Sequence, residues 1–284
     1  MKKVLFLAMF AMLVPVFIYG QTIPSYVPTS GLVGWWPFNG NANDESGNGN
    51  NGIVTGATLT ADRNGVFNSA YNFNGSSNYI SVSNPSTISF SSGITLAIWA
   101  KIAGLNTNTN CSLGCAQFLI SRGNDFSNGH FKISYDEGAL ASGGQKFWGN
   151  VNNYMNGGKA YSNSQYAYPQ STWHHVVLTY NNSQVKIYVD GVLNTTTNYS
   201  SVISPITNTI FFGRHEYASF PYFANGDLDD IGIWNRALTP QEITALYLSG
   251  QPCPPIANIQ GPSNVGLGST ITLTDSSAGG TWLS

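Results

Sequence analysis

The side chains able to do chemistry in this sequence are sparse and mostly badly placed for catalysis. Thirteen residues are acidic, and those close together are Asp44-Glu45, Asp136-Glu137 and the group from Asp227 to Asp230. Neighbours along an extended strand point to opposite faces, so Asp136-Glu137 makes a poor acid–base pair unless a bend reorients it. The same geometry argues against a shared ion at His174-His175. No Gly-x-Ser-x-Gly elbow, Cys-His-Asn arrangement or phosphate-binding glycine loop is present. Calcium is the better metal hypothesis. The stretch from Asn39 to Gly52 concentrates Asp44, Asn48 and backbone carbonyls, and a hard cation takes about six to eight oxygens. The alternative is that these Asn and Gly residues form turns without an ion.

Aromatic rings and an arginine in irregular segments suit a different chemistry. Sugars present apolar CH faces that stack on Trp and Tyr, and hydroxyls that suit planar polar groups. Candidates are Trp148, Tyr154, Tyr161, Tyr166 and Tyr168, with a second group of Arg214, His215, Tyr217 and Tyr222. The competing reading is that these rings cover long loops and pack among themselves. Trp35, Trp36, Trp99, Trp173 and Trp234 are assigned to the core.

Strands must position these groups. Apolar and β-branched runs bounded by Asn, Gly, Ser or Pro predict strands at Val33 to Phe38, Ala70 to Phe73, Tyr79 to Val82, Ile94 to Ile102, Phe118 to Arg122 and Phe131 to Tyr135. Further strands are predicted at Lys146 to Val151, Trp173 to Tyr180, Val185 to Val189, Thr209 to Gly213 and Asp229 to Trp234. The last two of the Trp173–Val189 region face each other as a hairpin around Asn181-Asn182-Ser183, with Lys186 and Tyr188 turned away from the buried side. One short helix is signalled by Thr239-Pro240-Gln241-Glu242, a capping box with proline at the first position, followed by Ile243, Leu246 and Tyr247. Gly250 can close it.

Lys2 and Lys3 before the apolar run from Val4 to Tyr19 read as a secretory signal peptide over residues 1–20. No later stretch is apolar for long enough to span a bilayer, so the mature protein is expected to be secreted or on the cell surface. Charged residues are 8% of the chain and the formal net charge is -2, which gives nucleic acid nothing to bind. The 31 glycines and 13% aromatics fit many short strands and tight turns. In an oxidising compartment Cys111 and Cys115 can form a small local disulfide, or remain two thiols. Cys253 has no evident partner. The domain reading is a linker over 21–30, one large β domain over 31–250, a linker over 251–255 and a truncated β domain over 256–284.

Several segments resemble a known family. Gly34-Trp35-Trp36-Pro37-Phe38, the run from Asn43 to Gly52, and Tyr71-Asn72-Phe73-Asn74-Gly75 with Tyr79-Ile80 resemble the opening of a laminin-G-like jelly roll of the concanavalin A-like lectin/glucanase superfamily. Thr172-Trp173-His174-His175-Val176, Ile187-Tyr188-Val189-Asp190-Gly191 and the run from Gly226 to Leu238 into Thr239-Pro240-Gln241-Glu242-Ile243 follow in that family's order and spacing. The resemblance implies an all-β fold of two antiparallel sheets packed face to face, with the concave side open to a ligand. It implies a core position for the Trp-x-His segment. It also aligns Asp229 with an aspartate that joins a structural calcium on the convex side of related jelly rolls, so that Asp44, Asn48 and Asp229 form the expected ligand set. The strand carrying alternating Glu, Asp and Glu that serves the glucanase branch has no counterpart here. The tail from Gly261-Pro262 to Gly279-Gly280-Thr281-Trp282 resembles the start of a bacterial immunoglobulin-like repeat.

Together these features predict a non-catalytic binding module that takes a glycan or surface polysaccharide, with further domains beyond Ser284. The alternatives are a structural or protein-binding spacer of a multidomain surface protein and, more remotely, a glycoside hydrolase.

Overall fold

The computed structural model describes residues 23–83, 90, 93–104, 116–123, 130–136, 145–152, 158–161, 168–204, 207–217 and 222–249. The expected leader, the Cys111-Cys115 pair, Cys253 and the segments 251–255 and 256–284 lie outside the described residues. The strands are β1 (Leu32–Trp36), β2 (Ile53–Thr55), β3 (Thr58–Thr60), β4 (Ala70–Asn74), β5 (Tyr79–Val82), β6 (Ile94–Ile102), β7 (Gln117–Arg122) and β8 (Phe131–Asp136). They continue as β9 (Lys146–Val151), β10 (Gly158–Tyr161), β11 (Trp173–Tyr180), β12 (Gln184–Val189), β13 (Val192–Asn198), β14 (Ile210–Phe212) and β15 (Asn225–Trp234), and the helix α1 spans Pro240–Leu248.

These strands form two antiparallel sheets. Sheet A runs β13-β12-β11-β6-β15-β4-β3, with β1 also paired to β15, and sheet B runs β10-β9-β8-β7-β14-β5-β2. Consecutive side chains of a strand alternate between faces, so every second residue enters the space between the sheets. Phe131, Ile133 and Tyr135 of β8 do so opposite Val176, Leu178 and Tyr180 of β11, all at most 1% exposed. Close packing there requires glycine at particular points. A Cβ on Gly213, at φ +85°, would run into the Phe73 ring, and one on Gly34 into the Trp36 ring.

The outer face of sheet A carries a second apolar layer. Trp35, Ala97, Val177, Tyr188 and Trp234 pack there with Val27, Leu238, Ile243 and Leu246. Tyr188 does point away from the inter-sheet core, as the alternation requires, but this layer buries it. Residues 23–30, expected as a linker, belong to the same layer: Val27 is buried and Pro28 O accepts from Trp234 Nε1 at 2.6 Å. Their proline content suggested a tether, but the apolar Ile23, Tyr26 and Val27 have a sheet face to cover. Helix α1 is capped as its sequence dictates. Thr239 Oγ1 accepts from Glu242 N at 3.3 Å and Glu242 Oε2 accepts from Thr239 N at 2.8 Å. Ser249 is the C-cap, its N–H donating to Ala245 O.

Candidate functional site

With α1 and the amino-terminal segment over sheet A, the outer face of sheet B is the other broad surface of the sandwich. Alternation places Lys132 and Ser134 of β8 on it, since Phe131, Ile133 and Tyr135 point inward. On β9 it places Trp148 and Asn150 there, register pairing Trp148 with Ser134 and Asn150 with Lys132. On β7 a register shift between Phe118 and Ile120 sets Phe118 opposite Ser134 and Ser121 opposite Lys132. Bulges of this kind re-aim side chains next to sites.

The result is a compact aromatic floor around a buried cation. Lys132 Nζ lies 4.3 Å from the centroid of Phe118 and 4.6 Å from that of Trp148. Two ring faces offset part of the cost of taking the ammonium out of water. His215 sits 4.5 Å from Phe118 and Tyr222 stacks on the same ring at 5.3 Å and 17°. His130 presents Nε2 to Asn150 Oδ1 at 3.1 Å, and its ring meets His215 edge-on at 6.2 Å. The connection from β14 to β15 is fastened to β7 by Gly213 N donating to Leu119 O and Phe118 N to Tyr222 O, each at 3.0 Å, and its two ends are tied by Ala224 N donating to Gly213 O at 2.9 Å.

Beside this floor stands a more exposed rim. Arg214 lies over Tyr79 and Phe211, each at 4.9 Å, and over Phe223 at 5.6 Å, while its Nε donates to His215 O at 2.8 Å. Tyr217 is 45% exposed, and Arg214, Tyr79 and Tyr222 are half-buried. Trp148, expected to touch a ligand, is 4% exposed and His215 is 2% exposed, so both belong to the floor rather than the rim.

The structure thus brings Trp148, Arg214, His215, Tyr217 and Tyr222 to one surface. Tyr161 pairs with Trp148 through the β10–β9 register, and its side chain, with Tyr154 and Tyr166, lies outside the described residues. Tyr168 is a correction. Its ring packs at 5.2 Å from His174 and 5.5 Å from Phe147, against the inter-sheet core, and its hydroxyl donates to Asn194 Oδ1. Sequence reasoning missed Lys132, Phe118, His130, Asn150 and Tyr79. Lys132 alternates with apolar neighbours as any solvated strand lysine does, and its burial depends on rings supplied by two other strands.

The expected metal ligands are engaged otherwise. Asp44 Oδ1 accepts from Trp35 N and Ser46 N and its Oδ2 from Asn50 N, at 2.9–3.0 Å, so its carboxylate organises the loop. Asn48 donates through Nδ2 to Leu32 O and Val33 O, each at 3.1 Å. Asp229 Oδ2 meets Arg63 Nη1 at 3.1 Å, and the same nitrogen is 2.8 Å from Asp230 Oδ2. A bulge in β15 between Asp229 and Gly232 lets consecutive aspartates share one partner. Burial pushes the Asp229 carboxyl well above its ordinary value, Asp230 adds to this and Arg63 opposes it. Arg63, itself 4.5 Å over the Trp99 ring, brings one positive charge to the two carboxylates. Asp229 is thus paired with a guanidinium, and among the described residues no three His, Cys, Asp or Glu are grouped to hold a metal.

The histidine pair diverges as strand geometry requires. His174 Nδ1 meets Asp190 Oδ2 at 2.8 Å. His175 packs on Trp99 at 5.1 Å, and burial holds its imidazole down to about 3. Trp173, expected in the core, is half-buried at the strand start with Lys101 Nζ 5.3 Å over its ring. Asp227 bridges Lys101 and Asn72, and the side chains of Asp136-Glu137 lie outside the described residues.

Comparison with known proteins agrees with this architecture. The Laminin_G_3 family, described as the concanavalin A-like lectin/glucanases superfamily, matches residues 74–244. No curated protein matches the sequence. Among solved structures, domain 4 of AbnA, a GH43 extracellular arabinanase from Geobacillus stearothermophilus, in complex with arabinotriose, has a TM-score of 0.57 at 20% identity, covering 77% of this chain and 98% of that one. The binding domain of Paraclostridial Mosquitocidal Protein 1 has a TM-score of 0.60 at 20% identity, over 77% of this chain and 52% of that one. The binding domain of Botulinum Neurotoxin DC, in complex with SialylT, has a TM-score of 0.58 at 16% identity, over 79% and 52%. The chain therefore spans about half the length of these toxin domains, and at such identities the likeness is one of fold. With the family's profile matched over more than half of the sequence and both antiparallel sheets in place, the chain belongs to the concanavalin A-like lectin/glucanases superfamily.

Proposed function

We propose that this protein is a non-catalytic carbohydrate-binding module acting outside the cytoplasm, and that the glycan lies on the outer face of sheet B. One observation carries the reading: a rim of Tyr79, Arg214, Tyr217 and Tyr222 stands on a buried aromatic floor of Phe118, Trp148 and His215 around Lys132. Half-exposed ring faces suit the apolar faces of sugars, and the floor fixes them in place, so little ordering entropy is lost on binding. A role without catalysis is supported by the carboxylates. Asp190, Asp227, Asp229, Asp230 and Glu242 each hold a basic side chain, and Asp44 holds backbone N–H groups. Related folds bound to arabinotriose and to SialylT support a glycan, while a botulinum binding domain in complex with rat synaptotagmin II favours a protein partner as the second reading. The export context rests on the leader-like residues 1–20.

A glycan array with the full chain, followed by titration calorimetry on the best oligosaccharide, tests this. Tyr222→Ala is expected to weaken binding by about tenfold, the equivalent of about 1.4 kcal/mol, with a small fall in the melting midpoint from the lost stacking on Phe118. Unaltered affinity in Tyr222→Ala and Tyr217→Ala would move the ligand off this face.

A further inference from the structure

Arg214 differs from Arg63 and Arg236 in what it lacks. Arg63 holds Asp229 and Asp230, and Arg236 holds Glu242 at 2.6 Å. The Arg214 guanidinium has one hydrogen bond, from Nε to His215 O, and three ring faces. Among the described residues no carboxylate pairs with it. Glu216, two residues on, turns instead to Asn208, whose Nδ2 donates to Glu216 Oε1 at 2.7 Å, and to the neighbourhood of Arg122.

Ring contacts and anion recognition use different parts of a guanidinium. The rings take its faces, whereas its N–H groups point outward in the plane. With Nε committed, Nη1 and Nη2 remain as a two-donor fork, the geometry that matches a carboxylate. The group is half-buried and held by Tyr79, Phe211 and Phe223, so the entropy of ordering a long side chain is already spent. Lys132 adds a second cation to the same face, beneath Trp148 and Phe118.

We propose that the ligand of the sheet B surface is an acidic saccharide, and that Arg214 receives its sugar carboxylate through Nη1 and Nη2, with Tyr222 and Tyr217 beside it. This rests on the carbohydrate reading above and narrows it to uronate- or sialate-bearing glycans.

The test is calorimetric titration of the full chain with trigalacturonate and with sialyllactose, each compared with its methyl ester, and with neutral arabinotriose. At least one acid binds about tenfold tighter than its ester, as a charge-assisted pair requires, and the preference shrinks with added salt. Arg214→Met, whose stem still packs between the rings, loses the preference while keeping its melting midpoint, and Arg214→Lys retains part of it. Neither acid preferred over its ester, or a preference that survives in Arg214→Met, overturns the proposal. Binding of neutral sugar alone overturns it too and leaves the glycan reading standing. Binding of no glycan removes both.

Discussion

Arg63 links a loop, a strand bulge and the end of α1. Its Nη1 serves two aspartates, its Nη2 donates to Ser249 O at 3.2 Å, and its guanidinium covers Trp99. Removing one partner of a buried ion group leaves the others uncompensated, which typically costs about 3–5 kcal/mol. Arg63→Met is therefore expected to lower stability to urea by about that amount. Calcium or excess chelator is expected to leave the wild-type melt unmoved, because a ligand shifts the midpoint only by binding the native state preferentially. A calcium-dependent rise would contradict the fit of Arg63 and restore an ion to Asp229. His175 gives a second test. Its folded-state value, about 3 against an ordinary 6.5, means that the unfolded chain takes up the proton first. Its contribution is thus present above pH 6.5 and is lost as pH falls from 6.5 toward 3. The Arg236 hydrogen bond lowers Glu242 to about 2 from 4.5, so that residue adds to acid loss only at lower pH. His175→Phe should flatten the decline in melting temperature between pH 6.5 and 4.5, and parallel wild-type and variant curves would refute the assignment.

At the scale of elements, the legible parts were those with a strong local signal. The hairpin at Asn181-Asn182-Ser183 forms with Asn182 at φ 65°, and β11 and β12 pair from Val176↔Val189 to Tyr180↔Val185. The capping box is present with both of its hydrogen bonds. Thr239→Ala removes the side-chain acceptor and is expected to cost about 1 kcal/mol, read as a lower urea midpoint with unchanged m-value. No loss would mean that Arg236 and Glu242 hold the helix start unaided. Strands β2, β3, β10 and β13 were not legible. The first three are three or four residues long, and β13, Val-Leu-Asn-Thr-Thr-Thr-Asn, has an exposed or half-buried edge with no apolar alternation to read. The register shift in β7 was equally hidden, yet it determines which residues meet Lys132.

For the whole molecule, the two outer faces of the sandwich differ in what they carry. Sheet A is sealed by α1, Val27 and the Trp35–Trp234 layer, while sheet B carries rings and cations in a floor and a rim. The rim residues Arg214, Tyr217 and Tyr222 stood out in the sequence because they interrupt an irregular connection. The floor did not, since Lys132, Phe118 and Asn150 come together only through the β7–β8–β9 registers. In the proposed function, ligand meets the outer face of sheet B. The most direct measurement is an amide and indole NMR titration of the full chain with the tightest oligosaccharide from the array. Shifts are expected to be largest at Tyr79 and residues 211–217 and 222–223, in and beside the rim, and smaller at the buried Lys132, Asn150 and Trp148 indole, with α1 silent. Shifts confined to α1 and residues 23–30 would contradict it.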